Sequence, residues 1–226
     1  MAKNISKNSG RGQRELRVKV KTAKGRRLSS TLWLERQLND PYVKKAQVEG
    51  YRGRAAYKIL EIDDKYRFLI PGARVVDLGC APGSWLQVLK EYKNIKHIIA
   101  LDVLDLEPVD GVRIYNQDIR DEELLDKIFV ENNIVIDLVL SDIAPNITGI
   151  SDIDQSNFSE ISLTILDFCK SRLKPGGTMI MKYFLGSSFD QTLKMLGNNF
   201  MKIDVFKPTS SKKNSNEVYL VCKSLI

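Results

Sequence analysis

Five charged residues stand at the ends of short apolar runs in this chain. Asp77 follows Val75-Val76, Asp102 follows Ile98-Ile99-Ala100-Leu101, and Asp118 follows the run Val112–Tyr115. Asp142 follows Asp137-Leu138-Val139-Leu140-Ser141, and Lys182 ends Met179-Ile180-Met181. Runs of this length read as buried strands. In an open α/β sheet the ligand lies beyond the carboxyl ends of the strands, so four acids and one lysine fall on one rim. Carboxylates there can accept hydrogen bonds from hydroxyls and amines or balance a cation. A lysine on an apolar strand, partly out of water and near a second cation, gives up its proton more readily. That is what a general base needs. For any one of these residues, a solvated strand end is the plain alternative.

The stretch Val75 to Trp85 places the first of them. Its apolar start breaks into Gly79-Cys80-Ala81-Pro82-Gly83 and opens an amphipathic segment from Ser84 to Tyr92. Strand, glycine turn and helix make a nucleotide-shaped crevice. Gly79 and Gly83 lack a Cβ and let a ligand approach the backbone closely. The spacing is not the G-x-G-x-x-G of dinucleotide enzymes, and Asp77 would repel a phosphate. A ligand with a cationic end suits Asp77, and S-adenosylmethionine fits: it has an ammonium, a sulfonium, a carboxylate and a ribose, and no phosphate. Asp102 is placed for ribose hydroxyls and Asp118 for an adenine amino group. Trp85 is a packing residue that could also flank the ligand.

Composition narrows the chemistry. Three cysteines (Cys80, Cys169, Cys222) lie far apart, and His97 is the single histidine. This argues against a Cys/His metal site and against histidine-based triads, so no metal is expected. Any general base must be a lysine, carboxylate or tyrosine. No apolar run approaches the roughly 18 residues of a bilayer span, and the expected location is the cytoplasm. The basic N-terminus could also pass for an organelle transit peptide. The net charge of +7 is unevenly placed: residues 1–30 carry ten Lys/Arg and one acid, which leaves the rest at −2. Such an arm favours phosphate backbones with salt-sensitive affinity. It cannot bury a core and is expected to be disordered until bound.

The remaining text must position these residues. Helical patterning covers Thr31 onward, Asp40–Gly50 (Asp40 as N-cap, Pro41 first in the helix) and Arg54–Phe68. After Pro71-Gly72, strands at Arg74–Leu78, His97–Leu101, Val112–Tyr115, Ile136–Leu140, Thr178–Tyr183, Met201–Phe206 and Val218–Cys222 alternate with helices at Ser84–Tyr92, Glu122–Val130, Gln155–Leu173 and Ser188–Leu196. Alternation implies a doubly wound parallel α/β sheet. A polar loop, Lys207–Asn216, joins the last two strands, so they should form an antiparallel hairpin at the sheet edge. The expected organisation is an arm over 1–30 and one domain over 31–226, with helices of 31–70 packed on a core of 71–226.

Five motifs occur in order: Tyr51-Arg52-Gly53-Arg54-Ala55-Ala56-Tyr57-Lys58, Val76 to Trp85, Ser141-Asp142-Ile143-Ala144-Pro145-Asn146, Leu173-Lys174-Pro175-Gly176-Gly177 and Glu217-Val218-Tyr219. From about Leu32 onward the chain resembles the FtsJ/RrmJ family of ribosomal RNA ribose 2′-O-methyltransferases. The resemblance implies a Rossmann-like class I methyltransferase fold with a seven-stranded, mostly parallel sheet and an antiparallel edge strand. It implies a catalytic tetrad of Lys58, Asp142, Lys182 and Glu217. Its cofactor contacts fall on Gly83, Trp85, Asp102, Asp118 and Asp142, beside Asp77 and Gly79. It also implies a uridine ribose of 23S rRNA in the assembling 50S subunit as target; the protein is expected to be a monomer. The chain departs from the family at Gly53, Cys80, Ser84 and Asn216. Lys182 is the expected base, oriented by Asp142. Lys58 would hold the hydroxyl oxygen and Glu217 would support the lysines. Phosphate contacts are expected from the arm and from Lys44, Lys45, Arg52 and Arg54. Two rival readings stand beside this one. The first is a non-catalytic ribosome-assembly factor that binds rRNA. The second is a methyltransferase for another substrate, such as tRNA.

Overall fold

The computed structural model describes residues 28–226, apart from 93 and 146. Most of the expected basic arm, residues 1–27, lies outside the described residues. The chain divides into two compact units after Lys45. The first unit holds α1 (Leu28–Leu38) and the start of α2 (Pro41–Glu49). Asp40 caps α2 as expected, its Oδ1 accepting the Tyr42 N–H at 2.9 Å. That contact satisfies one of the open donors of a helix start.

The second unit runs from Ala46 and contains α3 (Ala55–Tyr66), β1 (Arg74–Leu78), α4 (Ser84–Glu91), β2 (His97–Asp102), β3 (Arg113–Asn116), α5 (Glu122–Phe129) and β4 (Ile136–Ser141). It continues through α6 (Ser151–Arg172), β5 (Leu173–Phe184), α7 (Phe189–Gly197), β6 (Phe200–Phe206) and β7 (Glu217–Leu225). The seven strands lie in the order β3-β2-β1-β4-β5-β7-β6. β1 to β5 pair in parallel. The expected hairpin forms that end of the sheet. β6 is the outermost strand, and β7, antiparallel to both neighbours, is inserted between it and β5.

The sheet buries both faces, and strand alternation sorts the side chains between them. Val76, Leu78, Ile99, Leu101, Met179, Met181, Leu220 and Cys222 pack with α5, α6 and α7. Val75, Ile98, Ala100, Leu138, Leu140, Ile180, Tyr219 and Val221 pack with α3 and α4. Continuing the alternation, Asp77, Asp102, Lys182 and Glu217 fall on the α3–α4 side. The pleat therefore aims them at the one layer that can close over them.

Two boundaries differ from the sequence reading by four residues or more. α6 starts at Ser151 rather than Gln155. Its polar first turn resembles a loop but is fastened from inside, because Asp154 accepts the N–H groups of Thr148 and Gly149 at 2.7 and 3.1 Å. β5 starts at Leu173 rather than Thr178. Leu173 pairs with Ile136, the chain bulges through Lys174 to Gly177, and pairing resumes at Thr178 opposite Leu138. The Pro-Gly-Gly excursion is thus a bulge within a strand, with Gly176 at φ +74° supplying the bend. Among the described residues no helix is long and apolar enough to cross a membrane.

Candidate active site

Asp142, just past β4, is the hub. Lys182 Nζ of β5 lies 3.1 Å from its Oδ1 and also donates to its backbone carbonyl. Lys58 Nζ of α3 lies 3.9 Å from the same Oδ1. Tyr219 Oη of β7 donates to it at 2.6 Å. Lys58 is itself held by Glu217 Oε2 at 2.9 Å, and Ser211 Oγ donates to Glu217 Oε1 at 2.7 Å. Lys58 and Glu217 are each only 8% exposed, and the Asp142 side chain is 21% exposed. Burial alone pushes the Asp142 carboxyl up. The charges of Lys182 and Lys58 and the bonds from Tyr219 and Lys182 outweigh it and hold the carboxyl below its ordinary range.

Local structure explains each placement. Lys182 is opposite Tyr219 in the β5–β7 register, and Phe184 is opposite Glu217. Lys182, Tyr219 and Glu217 therefore share one face, with side chains close enough to touch. Lys58 reaches the group from α3, four residues after Arg54 and three before Glu61. That helix stripe fastens the loop ahead of β7. Arg54 donates to the Ser210 carbonyl, and Glu61 accepts from the Ser210 N–H at 3.0 Å and the Thr209 hydroxyl at 2.9 Å. Sequence reasoning assigned no role to Tyr219, Ser211 or Glu61. Tyr219 was detectable, since a residue two beyond Glu217 on a strand shares its face.

Asp142 also lines a crevice at the strand ends. A cavity of about 590 Å³ is bounded by Gly79, Asp102, Asp118, Asp142 and Ile143 among others. A smaller one of about 40 Å³ adjoins it, bounded by Asp77, Gly79, Ser84, Trp85 and Asp142. Gly79 has φ +73°, and a Cβ there would stand 2.2 Å from Ile143 Cγ1. Only glycine suits that position. Asp77 is 1% exposed, and neither carboxyl oxygen has a hydrogen-bond partner among the described residues. Burial pushes this carboxyl well up, and Asp142 and Asp102 add to the effect. An orphaned buried acid fits a ligand that brings a cationic end.

The other predicted contacts take particular forms. Asp102 Oδ2 accepts the Ala81 N–H at 2.7 Å and Oδ1 accepts the Leu104 N–H at 2.9 Å. It shapes the glycine turn while facing the crevice, and each oxygen keeps a lone pair for a ligand hydroxyl. Asp118 is gripped by Arg120 through Nη2 at 2.6 Å, which holds its carboxyl below the ordinary range. Trp85 is buried, and its indole N–H donates to the Ala55 carbonyl at 2.8 Å, tying α4 to α3. Gly83, at φ +98°, lines neither cavity. It makes room for the Arg52 guanidinium, which would stand 2.6 Å from a Cβ there. Arg52 donates to the carbonyls of Pro82, Glu107 and Pro108 at 3.0, 2.6 and 2.9 Å. It is a clasp between two crevice loops, at a residue from which the sequence suggested a phosphate contact.

Comparison with known proteins agrees with this geometry. The chain is 47% identical over 222 residues to "Ribosomal RNA large subunit methyltransferase E" of Ruegeria sp. (strain TM1040), covering 94% of this chain and 93% of that one. It is 44% identical to the protein of the same name from Methylobacillus flagellatus, with 87% and 96% covered. A crystal structure described as a ribosomal RNA methyltransferase from Plasmodium falciparum superposes with a TM-score of 0.70 at 36% identity, covering 77% of this chain and 98% of that one. The model of the FtsJ-like methyltransferases matches residues 51–225. The chain belongs to the FtsJ-like methyltransferase family.

Proposed function

We propose that this methyltransferase uses S-adenosylmethionine to methylate the ribose 2′-hydroxyl of a uridine in 23S rRNA, in the large ribosomal subunit. The observation that carries the reading is Asp142, which faces the 590 Å³ crevice and ion-pairs with Lys182, whose side chain is 8% exposed. The names of the relatives support an rRNA substrate. The orphaned Asp77, the Cβ-free approach at Gly79 and the acceptors of Asp102 fit the ammonium, backbone-side and ribose parts of the cofactor. Bound there, S-adenosylmethionine supplies an electrophilic methyl group on a sulfonium.

The chain's own work is positioning and proton transfer. Asp77 and Asp102 hold the cofactor, and Gly79 lets it lie against β1. Lys182 Nζ, once deprotonated, takes the proton of the 2′-hydroxyl. The ammonium so formed stays 3.1 Å from Asp142 Oδ1, which stabilises it. Lys58 Nζ, steadied by Glu217, favours negative charge on the hydroxyl oxygen. The enzyme would act as a monomer in the cytoplasm, where the large subunit assembles, with the basic residues of 1–30 adding non-specific phosphate contacts.

The test uses large subunits or 23S rRNA from a source lacking the modification, with methyl-labelled S-adenosylmethionine. Label recovered as an alkali-stable 2′-O-methyluridine, and lost with Lys182→Ala, is the expected result. Salt-sensitive subunit binding without transfer, where an active control enzyme methylates the same substrate, would replace this reading with a non-catalytic assembly factor.

A further inference from the structure

Glu217 uses its carboxylate oxygens separately. Oε2 holds Lys58 Nζ at 2.9 Å, and Oε1 accepts from Ser211 Oγ at 2.7 Å. The last side-chain torsion of a glutamate is broad, so a donor fixed on one oxygen decides where the other points. Ser211, which is buried, is placed in turn by the helix that carries Lys58. Arg54 at the start of α3, and Lys58 and Glu61 within it, stand at i, i+4 and i+7 on one stripe of the helix surface. Arg54 donates to the Ser210 carbonyl. Glu61 Oε1 accepts the Ser210 N–H at 3.0 Å, and its Oε2 accepts the Thr209 hydroxyl at 2.9 Å. The peptide groups on both sides of Ser210 are therefore pinned to α3. The Ser211 N–H closes a turn on the Pro208 carbonyl at 3.1 Å, and Lys207 Nζ holds the Ser215 carbonyl at 2.6 Å across the neck of the loop. These contacts close a circuit. It runs from Lys58 along α3 to Glu61, across to Thr209 and Ser210, on through Ser211 to Glu217, and back to Lys58.

We infer, resting on the catalytic group proposed above, that Glu61 and Ser211 are positioning residues for methyl transfer: Glu61 sets the loop, and Ser211 turns Glu217 so that one oxygen faces Lys58. The consequence falls on Asp142. Lys58 Nζ stands 3.9 Å from Asp142 Oδ1, and Lys182 Nζ stands 3.1 Å from the same atom. Glu217 draws Lys58 to itself, so Lys182 keeps the closer place on that oxygen. A Glu217 released from Ser211 no longer holds Lys58 back, and two ammonium groups then compete for one carboxylate oxygen. The base loses its orientation, and the 2′-oxygen loses the cation aimed at it. Neither Glu61 nor Ser211 lines the crevice, so their work is on the rate of transfer and not on cofactor binding. Because Ser211 acts only through Glu217, removing its hydroxyl matters only while Glu217 can hold Lys58.

The test measures kcat, KM for 23S rRNA lacking the modification, and affinity for S-adenosylhomocysteine. The proteins are wild type, Ser211→Ala, Ser211→Thr, Glu61→Ala, Glu217→Gln, and Ser211→Ala combined with each of the last two. Thermal melts establish that each is folded. Ser211→Ala should lower kcat about tenfold, as for one lost hydrogen bond to a charged acceptor, while KM and cofactor affinity stay put. Ser211→Thr keeps a hydroxyl and should restore most of the rate. Glu61→Ala should also lower kcat, and its loss should not multiply with that of Ser211→Ala. In the Glu217→Gln background Ser211→Ala should lower kcat no further. Losses from Ser211→Ala and Glu217→Gln that multiply, or a raised KM at unchanged kcat, would overturn the inference while leaving the catalytic group intact. A fully active Glu217→Gln protein would remove Glu217 from that group and the inference with it. Wild type that transfers no methyl to 23S rRNA, where an active control enzyme does, would overturn the reading on which both stand.

Discussion

Tyr219 Oη donates its hydrogen bond to Asp142 Oδ1 at 2.6 Å, the same oxygen that faces both lysines. The phenol is fully buried, and its ring packs 5.8 Å from that of Trp85. Tyr219→Phe keeps the packing and removes one bond to a charged acceptor, worth about 1.5–3 kcal/mol. Methyl transfer should fall about tenfold or more if that bond orients Asp142 in the transition state. The pH profile carries the sharper signal. Asp142 lies below its ordinary range partly through this bond, so its loss raises the carboxyl. Activity that depends on ionised Asp142 should then fail at higher pH on the acid side in Tyr219→Phe than in wild type. An unshifted acid limb would remove Tyr219 from the site.

Lys58 and Glu217 form a nearly dry ion pair, and breaking one side should be worse than replacing both. Lys58→Ala leaves Glu217 buried and uncompensated and should cost about 3 kcal/mol of stability. Lys58→Met with Glu217→Gln should regain most of that while remaining inactive. Denaturant melts beside transfer assays separate the two effects. A double variant as unstable as Lys58→Ala would show that the pair's charge is not what the fold responds to.

Gly79→Ala tests the crevice wall. The new methyl would meet Ile143 at a backbone conformation that disfavours any side chain. Strain and overpacking should lower stability by about 1–3 kcal/mol. The stabilisation that S-adenosylhomocysteine gives to thermal unfolding should shrink more than the melting temperature of the ligand-free protein does. Full stabilisation by the ligand would place it away from this turn.

At the opposite end of the sheet, Asp137 is held by Arg74 Nε at 3.0 Å and Lys174 Nζ at 2.6 Å. Burial raises the carboxyl, and the bonds from Lys174 and Arg74 overcome it and bring it down to about 2. A carboxyl lowered in the folded state adds stability that is full above its unfolded value near 4 and is lost as pH falls through 2. The amount is about 2 kcal/mol. Asp137→Asn should therefore be less stable than wild type at neutral pH, with the gap closing between about pH 4 and pH 2. A gap constant across that window would mean that the interaction is not ionic.

The strand ends were legible because burial writes itself as short apolar runs, and the open-sheet rule then located Asp102, Asp118, Asp142 and Lys182. Lys58 and Glu217 were not legible that way. One is a helix lysine and the other begins a strand, and their meeting depends on β7 entering the sheet beside β5, a long-range choice that no local pattern records. Only the order of the motifs pointed to them. The loop-fastening bonds of Arg52 and Arg54 were missed for a related reason. A basic residue near RNA-like chemistry suggests phosphate, while backbone carbonyls that need a donor are invisible in sequence. Arg52 clasps two crevice loops, and Arg54 donates to the Ser210 carbonyl. The start of α6 was missed because its capping acid, Asp154, lies inside the helix rather than before it.

The insertion of β7 between β5 and β6 also sets a timetable. Lys58 leaves the ribosome long before Glu217, its partner 159 residues further along. Until that strand is synthesised, β5 has an open edge, Asp142 lacks its tyrosine donor, and Lys58 lacks the acid that holds it at 2.9 Å. The five parallel strands can therefore pair before the charged group around Asp142 is complete. That group closes only when the last-made strand enters the sheet between β5 and β6.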